Sequence, residues 1–279
     1  MLQFYASAAH ITGCVKTKQI AEYLGAGFNS NCSKDDICIC LQSIPTAILK
    51  NSVADIYLDI GDCIETGRSA YKLYGNRVIY ILNDEHAKEE FLSNMCDGEA
   101  RAIVIRHQHC NFDNIIRPDR EVKLVGYVGS SIGLDYNPNL IRAVLQNQGM
   151  EFACLFIDFP AQASRIDVCN FIQALDIQIC MRQFIRMICN DFNVPILKIV
   201  NAGSFRIPTV AYPEKSFLSE ANGAFIPAED IVDLVANCMM LRECSEQYNL
   251  TADRALELSK DYDISVVAKQ YADLERVLV

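Results

Sequence analysis

The chain has 279 residues, 35 acidic against 25 basic side chains for a net charge of -10, 51% hydrophobic residues, and only 13 Gly and 8 Pro. A chain of this length divides into about two domains and buries most of its unfolded surface, so disorder and fibre are excluded and the core needs no covalent staples. The acidic balance argues against broad nucleic-acid binding, because a face that tracks phosphates needs an excess of Lys and Arg; a local basic pocket remains open.

In chain order, short apolar runs alternate with helical patterns. Strands are expected over Leu2 to Ser7, Ile37 to Leu41, Ile56 to Ile60, Val78 to Leu82 and Ala102 to Ile105, with helices over Thr17 to Leu24, Thr66 to Leu73 and Glu85 to Asn94. Runs apolar on both faces and followed by helices indicate a parallel sheet covered on two sides. After the polar stretch Asn111 to Arg120, read as a linker, the alternation restarts. Strands are expected at Lys123 to Val128, Ala153 to Ile157, Ile177 to Cys180 and Thr209 to Ala211. Helices are expected at Pro138 to Asn147, Ala163 to Leu175 and Gln183 to Asn190, and three helical blocks close the chain from Ala228 to Leu278. The fold class is therefore α/β, two doubly wound Rossmann-like domains over 1–112 and 121–262, with a last helix over 263–279 packing back on the first. Such sheets bind ligands at the carboxyl ends of their strands, which places the expected site in a cleft between the domains.

The thirteen cysteines lie inside apolar runs such as Ile37-Cys38-Ile39-Cys40 and Ile179-Cys180, and no Cys-x-x-Cys pair occurs. This is the placement of buried free thiols in a reducing compartment rather than of a zinc site. Met1 to Ala6 lacks the basic start of a signal peptide, and no apolar stretch approaches the ~18 residues of a membrane span, so a cytoplasmic protein is expected.

The most informative stretch is Lys198-Ile-Val-Asn201-Ala-Gly-Ser-Phe-Arg206-Ile-Pro208-Thr-Val-Ala-Tyr-Pro213-Glu214-Lys-Ser216. A short helix from about Ile199 to Phe205, a turn, a buried strand and a polar loop from Pro213 put Lys198 beside free backbone N–H groups, a combination suited to a phosphate. This stretch resembles the second-domain signature of retaining glycosyltransferases with the two-Rossmann (GT-B) architecture, the "glycosyl transferases group 1" type. Val125 to Ser131, Leu175-Asp176-Ile177 to Cys180, Asn222 to Phe225 as a short strand, and Tyr262-Asp263-Ile264-Ser265 agree with that resemblance, which covers 121–279. The family's pair of glutamates would fall on Val194 and Asn201, and its small residue before Ile-Pro is Arg206, so the chain reads as a short divergent member.

The resemblance implies transfer of a sugar from a nucleotide-diphosphate sugar to a glycan or lipid-linked acceptor, retention of anomeric configuration, no metal and no cofactor beyond the donor as substrate. It further implies no nucleic-acid partner and at most peripheral membrane contact. Lys198, Arg182 and His10 are the catalytic candidates; Gly129, Ser130, Ser131, Asn201, Ala202, Glu214 and Ser216 form the donor set. Asp59, Asp62 and His107, at strand ends or beside the linker, form the acceptor set. Each has a plainer reading: Asn201 as a helix cap, Gly129 to Ser131 as turn geometry, Arg182 as an ion pair, Asp59 and Asp62 as turn residues, His107 and His109 as linker packing. A nucleotide-sugar epimerase, or a non-catalytic binding protein of the same build, is the alternative.

Overall fold

The computed structural model describes residues 1–6, 11–31, 33–51, 55–61, 64–95, 99–157, 163–182 and 196–275. His10, Asp62 and the helix expected over Gln183 to Asn190 lie outside the described residues. The rest packs as two units, one running from Met1 to Gln108 and taking in the chain from Ile264 onward, the other holding the described residues from His109 to Asp263.

The first unit contains β1 (Leu2–Ala6), α1 (Ile11–Leu24), β2 (Gly27–Phe28), β3 (Ile37–Leu41), α2 (Thr46–Asn51), β4 (Ile56–Asp59), α3 (Ile64–Tyr74), β5 (Val78–Leu82), α4 (Glu85–Met95) and β6 (Arg101–Val104). All six strands are parallel, in the order β2-β1-β3-β4-β5-β6. Every residue of β3 and of β5 is buried, as expected where helices cover both faces of a parallel sheet. Cys38 and Cys40 are packed in this core beside Tyr80 and Phe91, whose rings meet at 5.0 Å. The last helix of the chain, Ile264–Asp273, belongs to this unit and sets Tyr271 edge-on to Phe4 with ring centroids 5.5 Å apart.

The second unit contains β7 (Leu124–Gly129), α5 (Pro138–Gln146), β8 (Glu151–Phe156), α6 (Arg165–Ala174), β9 (Ile177–Cys180), α7 (Leu197–Gly203), β10 (Thr209–Ala211), α8 (Lys215–Glu220), β11 (Ile226–Pro227), α9 (Ile231–Glu243) and α10 (Ser245–Ser259). Its strands are also all parallel, ordered β11-β10-β9-β7-β8. Helix starts follow local chemistry. Asn137 caps α5 with Pro138 just inside, Ser164 and Asp167 close a capping box on α6, and Asp230 caps α9 through two backbone N–H groups.

Three local expectations are corrected. The polar loop from Pro213 winds into α8, a helix whose Phe217 is fully buried. The short strand expected at Asn222 to Phe225 is a turn, and the strand follows at Ile226–Pro227. The stretch Asn111 to Arg120, expected as a linker, is bound into the second unit. The Asn111 amide reaches the Ser204 and Ile115 carbonyls, and the Arg117 N–H donates to the Phe205 carbonyl.

Asp176 organises that junction. Its carboxylate accepts from Arg117 (2.7 Å), from Arg120 (2.7 Å) and from the backbone N–H groups of Lys123 and Leu124 (2.8 and 2.7 Å). The Tyr248 hydroxyl donates to its backbone carbonyl at 2.8 Å, and the Arg117 guanidinium lies over the Tyr248 ring.

Arg206 sits in the left-handed region at φ 61°, just past the end of α7, where the Ile207 N–H returns to the Ala202 carbonyl. Glycine tolerates this backbone without strain, which accounts for a small residue at the corresponding place in the family the sequence resembles. Arg206 is held there by Asp253 (2.5 Å), Asn249 (3.0 Å) and Asp119 (3.4 Å). Arg206→Ala keeps the strained backbone and loses all three partners, whereas Arg206→Gly loses the partners and relieves the strain. The glycine variant should therefore be the more stable of the two by about 1 kcal/mol in urea unfolding, the reverse of the usual helix ranking. An alanine variant at least as stable as the glycine one would rule this account out.

Candidate functional site

In the second unit the strand order reverses at β7, whose neighbours are β8 on one side and β9 on the other. Open parallel sheets bind ligands outside the carboxyl ends of strands at such a switch point. The carboxyl ends of β7, β9 and β10 deliver Gly129, Arg182 and Glu214 to this place, and the start of α7 delivers Lys198.

Lys198 is held by its own unit's backbone and by an aromatic ring. Its ammonium donates to the Val128 carbonyl and lies 4.5 Å from the centroid of the Tyr127 ring. Among the described residues no carboxylate pairs with it. Burial, reinforced by the neighbouring Arg182 guanidinium and opposed by Cys180 and Glu214, pulls its pKa down to about 8. Gly129 is required beside it. The backbone there has φ 153°, and a Cβ would collide with the Lys198 ammonium and the Tyr127 hydroxyl. Tyr127 precedes Gly129 by two residues on the strand and so shares its face, a period-2 relation that the sequence itself carries. A Cβ at Gly133 would collide with the same hydroxyl and lie in ordinary contact with the Arg182 side chain.

Arg182, 9% exposed, makes the ion pair that was the plainer of its two expected roles. Its Nε donates to Glu214 Oε1 at 2.8 Å and its guanidinium lies over the Phe217 ring, while its buried Nη2 has no hydrogen-bond partner among the described residues. An ion pair consumes one edge of the fork and leaves a buried donor over. An orphaned charged donor costs ~1 to 3 kcal/mol or more, and an anionic group placed against it would satisfy it. Glu214 and Ser216 are both 3% exposed, so Glu214 acts as the arginine's anchor.

The other candidates separate. Ser130 and Ser131 follow β7 directly, with the Ser130 carbonyl accepting from Tyr127 (2.7 Å). Asn201 is turned elsewhere, its side-chain oxygen accepting from the Cys110 N–H at 2.9 Å. Ala202 is fully buried, its side chain packed with Val128, Phe205 and Ile207.

In the first unit, Asp59 is 1% exposed, and its carboxylate is consumed by Lys16 (2.7 Å), the Gly61 N–H (3.0 Å) and the Tyr271 hydroxyl (3.2 Å). It is an interior ion pair rather than a solvent-facing acceptor contact, because the apolar run Ile56 to Leu58 carries it into the core with Lys16 from α1. Burial, with Lys16 adding to it against Asp59, takes the His107 imidazole down to about 3, so it is neutral near pH 7. His109 is likewise lowered by burial, and its Nδ1 accepts the Asn111 N–H at 3.2 Å. Among the described residues no three His, Cys, Asp or Glu side chains converge as a metal set, and no helix is long and apolar enough to cross a membrane.

No family model and no curated protein matches the sequence. Solved structures do match. TarM shares 14% identity at a TM-score of 0.63 over 87% of this chain and 55% of its own, so the chain spans little more than half of TarM's length, and 59% in the case of the GtfA/B complex. HepE from Anabaena, in complex with UDP-glucose, shares 11% identity at a TM-score of 0.62 over 99% of this chain and all of its own. An α,α-trehalose-phosphate synthase (UDP-forming) from Burkholderia vietnamiensis shares 11% identity at 0.64 over 98% of this chain and 81% of its own. With two parallel sheets of six and five strands flanked by helices, the chain has the two-domain α/β fold of GT-B glycosyltransferases.

Proposed function

We propose that this chain transfers a sugar from a nucleoside-diphosphate sugar to a glycan or lipid-linked acceptor with retention of configuration, the second unit holding the donor. The observation that carries the reading is the Lys198 ammonium beside Gly129 at the β7/β9 switch point, with Arg182, whose side chain lies next to Gly133 and whose Nη2 has no partner among the described residues, on the same sheet edge. Departure of a nucleoside diphosphate develops negative charge, and two fixed cations in a desolvated corner stabilise that charge without reorganising. In this proposal they do so without a divalent ion. Gly129 lets the phosphates approach the backbone, Glu214 fixes the Arg182 plane, and Tyr127 supports the ammonium. HepE, which matches along its whole length, was captured with UDP-glucose, which favours a nucleotide-sugar donor.

Calorimetric titration tests the donor site. Lys198→Ala should weaken a nucleoside diphosphate by ten- to hundredfold, equivalent to about 1.5 to 3 kcal/mol, and leave the nucleoside almost unchanged. Equal affinities for variant and parent would remove Lys198 from the site. One observation favours a second reading, a binding protein without transfer: Asn201 stands where the family the sequence resembles has a glutamate, and its oxygen is occupied by Cys110. Donor hydrolysis or transfer to an added acceptor supports the enzyme. Nucleotide-sugar binding with neither supports the binder.

A further inference from the structure

Cys169 lies on α6, four residues after Arg165, so the two share a helix face. The Arg165 Nη1 reaches both the Cys110 carbonyl (2.9 Å) and the Cys169 sulfur (3.7 Å), with its guanidinium 4.4 Å from the centroid of Phe112. The Cys169 thiol donates to the Cys110 carbonyl at 3.0 Å, which holds the two cysteines next to each other. Both are half-buried, whereas Cys38, Cys40, Cys180 and Cys238 are enclosed in the core. These two thiols thus depart from the expectation of inert apolar cysteines.

We propose that Cys110 and Cys169 are an oxidisable pair that a small hydroperoxide converts to a disulfide. The pair is chemically asymmetric. The Cys110 hydrogen bond, with Arg165 assisting and burial and Asp113 opposing, brings the Cys169 thiol down to about 7, while the same bond and burial push the Cys110 thiol up. Cys169 is therefore the nucleophile and Cys110 the resolving thiol. The Cys169 thiolate attacks the outer peroxide oxygen, the O–O bond breaks, and the departing alkoxide or hydroxide takes a proton, leaving a sulfenic acid on Cys169. The Cys110 sulfur then attacks the Cys169 sulfur, the S–O bond breaks, and the hydroxyl leaves with the Cys110 proton as water. The two thiols lose two electrons, and the peroxide is reduced to an alcohol or water.

The reduced full chain, treated with one equivalent of hydrogen peroxide at neutral pH, blocked by alkylation and mapped by mass spectrometry without reduction, should yield the Cys110 and Cys169 peptides joined as the main oxidised product. Dithiothreitol should release them. Cys110→Ser should stop the reaction at a Cys169 sulfenic acid trapped by dimedone, and Cys169→Ser should leave Cys110 a thiol. Cys169 should also be alkylated roughly threefold faster at pH 7 than an ordinary exposed thiol, with a midpoint near 7 that rises in Arg165→Gln. Circular dichroism of each variant checks that it folds. The proposal is overturned if exposed Cys244 is oxidised before the pair, if Cys110→Ser gives no dimedone adduct at Cys169, or if Cys169→Ser leaves Cys110 equally oxidisable.

Discussion

Asp176→Asn is expected to lower the stability of the second unit by about 3 to 5 kcal/mol, the range for removing one partner of a buried ionic network. The Asp176 side chain is 4% exposed and that of Arg117 3%, so the guanidinium of Arg117 is left buried opposite a neutral amide, whereas Arg120, at 39%, can rehydrate. The substitution also replaces one of two oxygens that accept backbone and guanidinium donors with an NH₂ group, which opposes N–H against N–H. Burial alone would raise the Asp176 carboxyl, but the N–H groups of Leu124 and Lys123 and the two guanidiniums hold it below its ordinary value. A depressed carboxyl stabilises the fold above the unfolded value near 4 and loses that contribution as pH falls through the folded one. Urea unfolding at neutral pH should show the loss, and the parent should converge on the variant as pH drops below about 4. A variant within about 1 kcal/mol of the parent at pH 7 would mean that the network is incidental.

Lys198→Met is expected to have the opposite sign, making the ligand-free protein more stable by about 1 to 3 kcal/mol at pH 7. The folded ammonium is held at about 8 against an unfolded value near 10.4, so keeping it charged at pH 7 opposes folding. That opposition fades as pH rises from about 8 to 10, where the parent should gain stability relative to the variant. Methionine has a similar length and fills the space over Tyr127 without a charge. The same substitution should weaken nucleoside-diphosphate binding, a trade of stability for function. In the parent, a bound diphosphate raises the Lys198 value, so binding should take up protons near pH 8 and weaken above it, readable as a buffer-dependent enthalpy. If Lys198→Met destabilises the protein while leaving nucleotide binding intact, the lysine is a packing residue and the donor site lies elsewhere.

The order of strands and helices was legible because the apolar runs are short and bounded by helical patterns, and several are rich in Ile and Val. Ile37 to Leu41 and Val78 to Leu82 match the observed strands to the residue, and the parallel class follows from runs that are apolar on both faces. Elements lacking a pattern of their own were not legible: the two residues of β2 and the six-residue α2 and α8 take their shape from what they pack against. For the candidate site, chain position told that Gly129, Arg182 and Glu214 stand at the carboxyl ends of strands and Lys198 at a helix start. It did not tell how each is used, because burial and partners are set by segments far apart in the chain. Asp59 meets Lys16 and Tyr271 across 43 and 212 positions and becomes interior; Asn201 meets the Cys110 backbone 91 positions away and turns from the site. Glu214, 32 positions on, takes the Nε edge of Arg182 and leaves Nη2 without a partner among the described residues. Hydrophobic periodicity is a local property that the sequence carries by itself, whereas the pairing of charges in a low-dielectric interior is decided only where the folded chain brings them within a few ångströms.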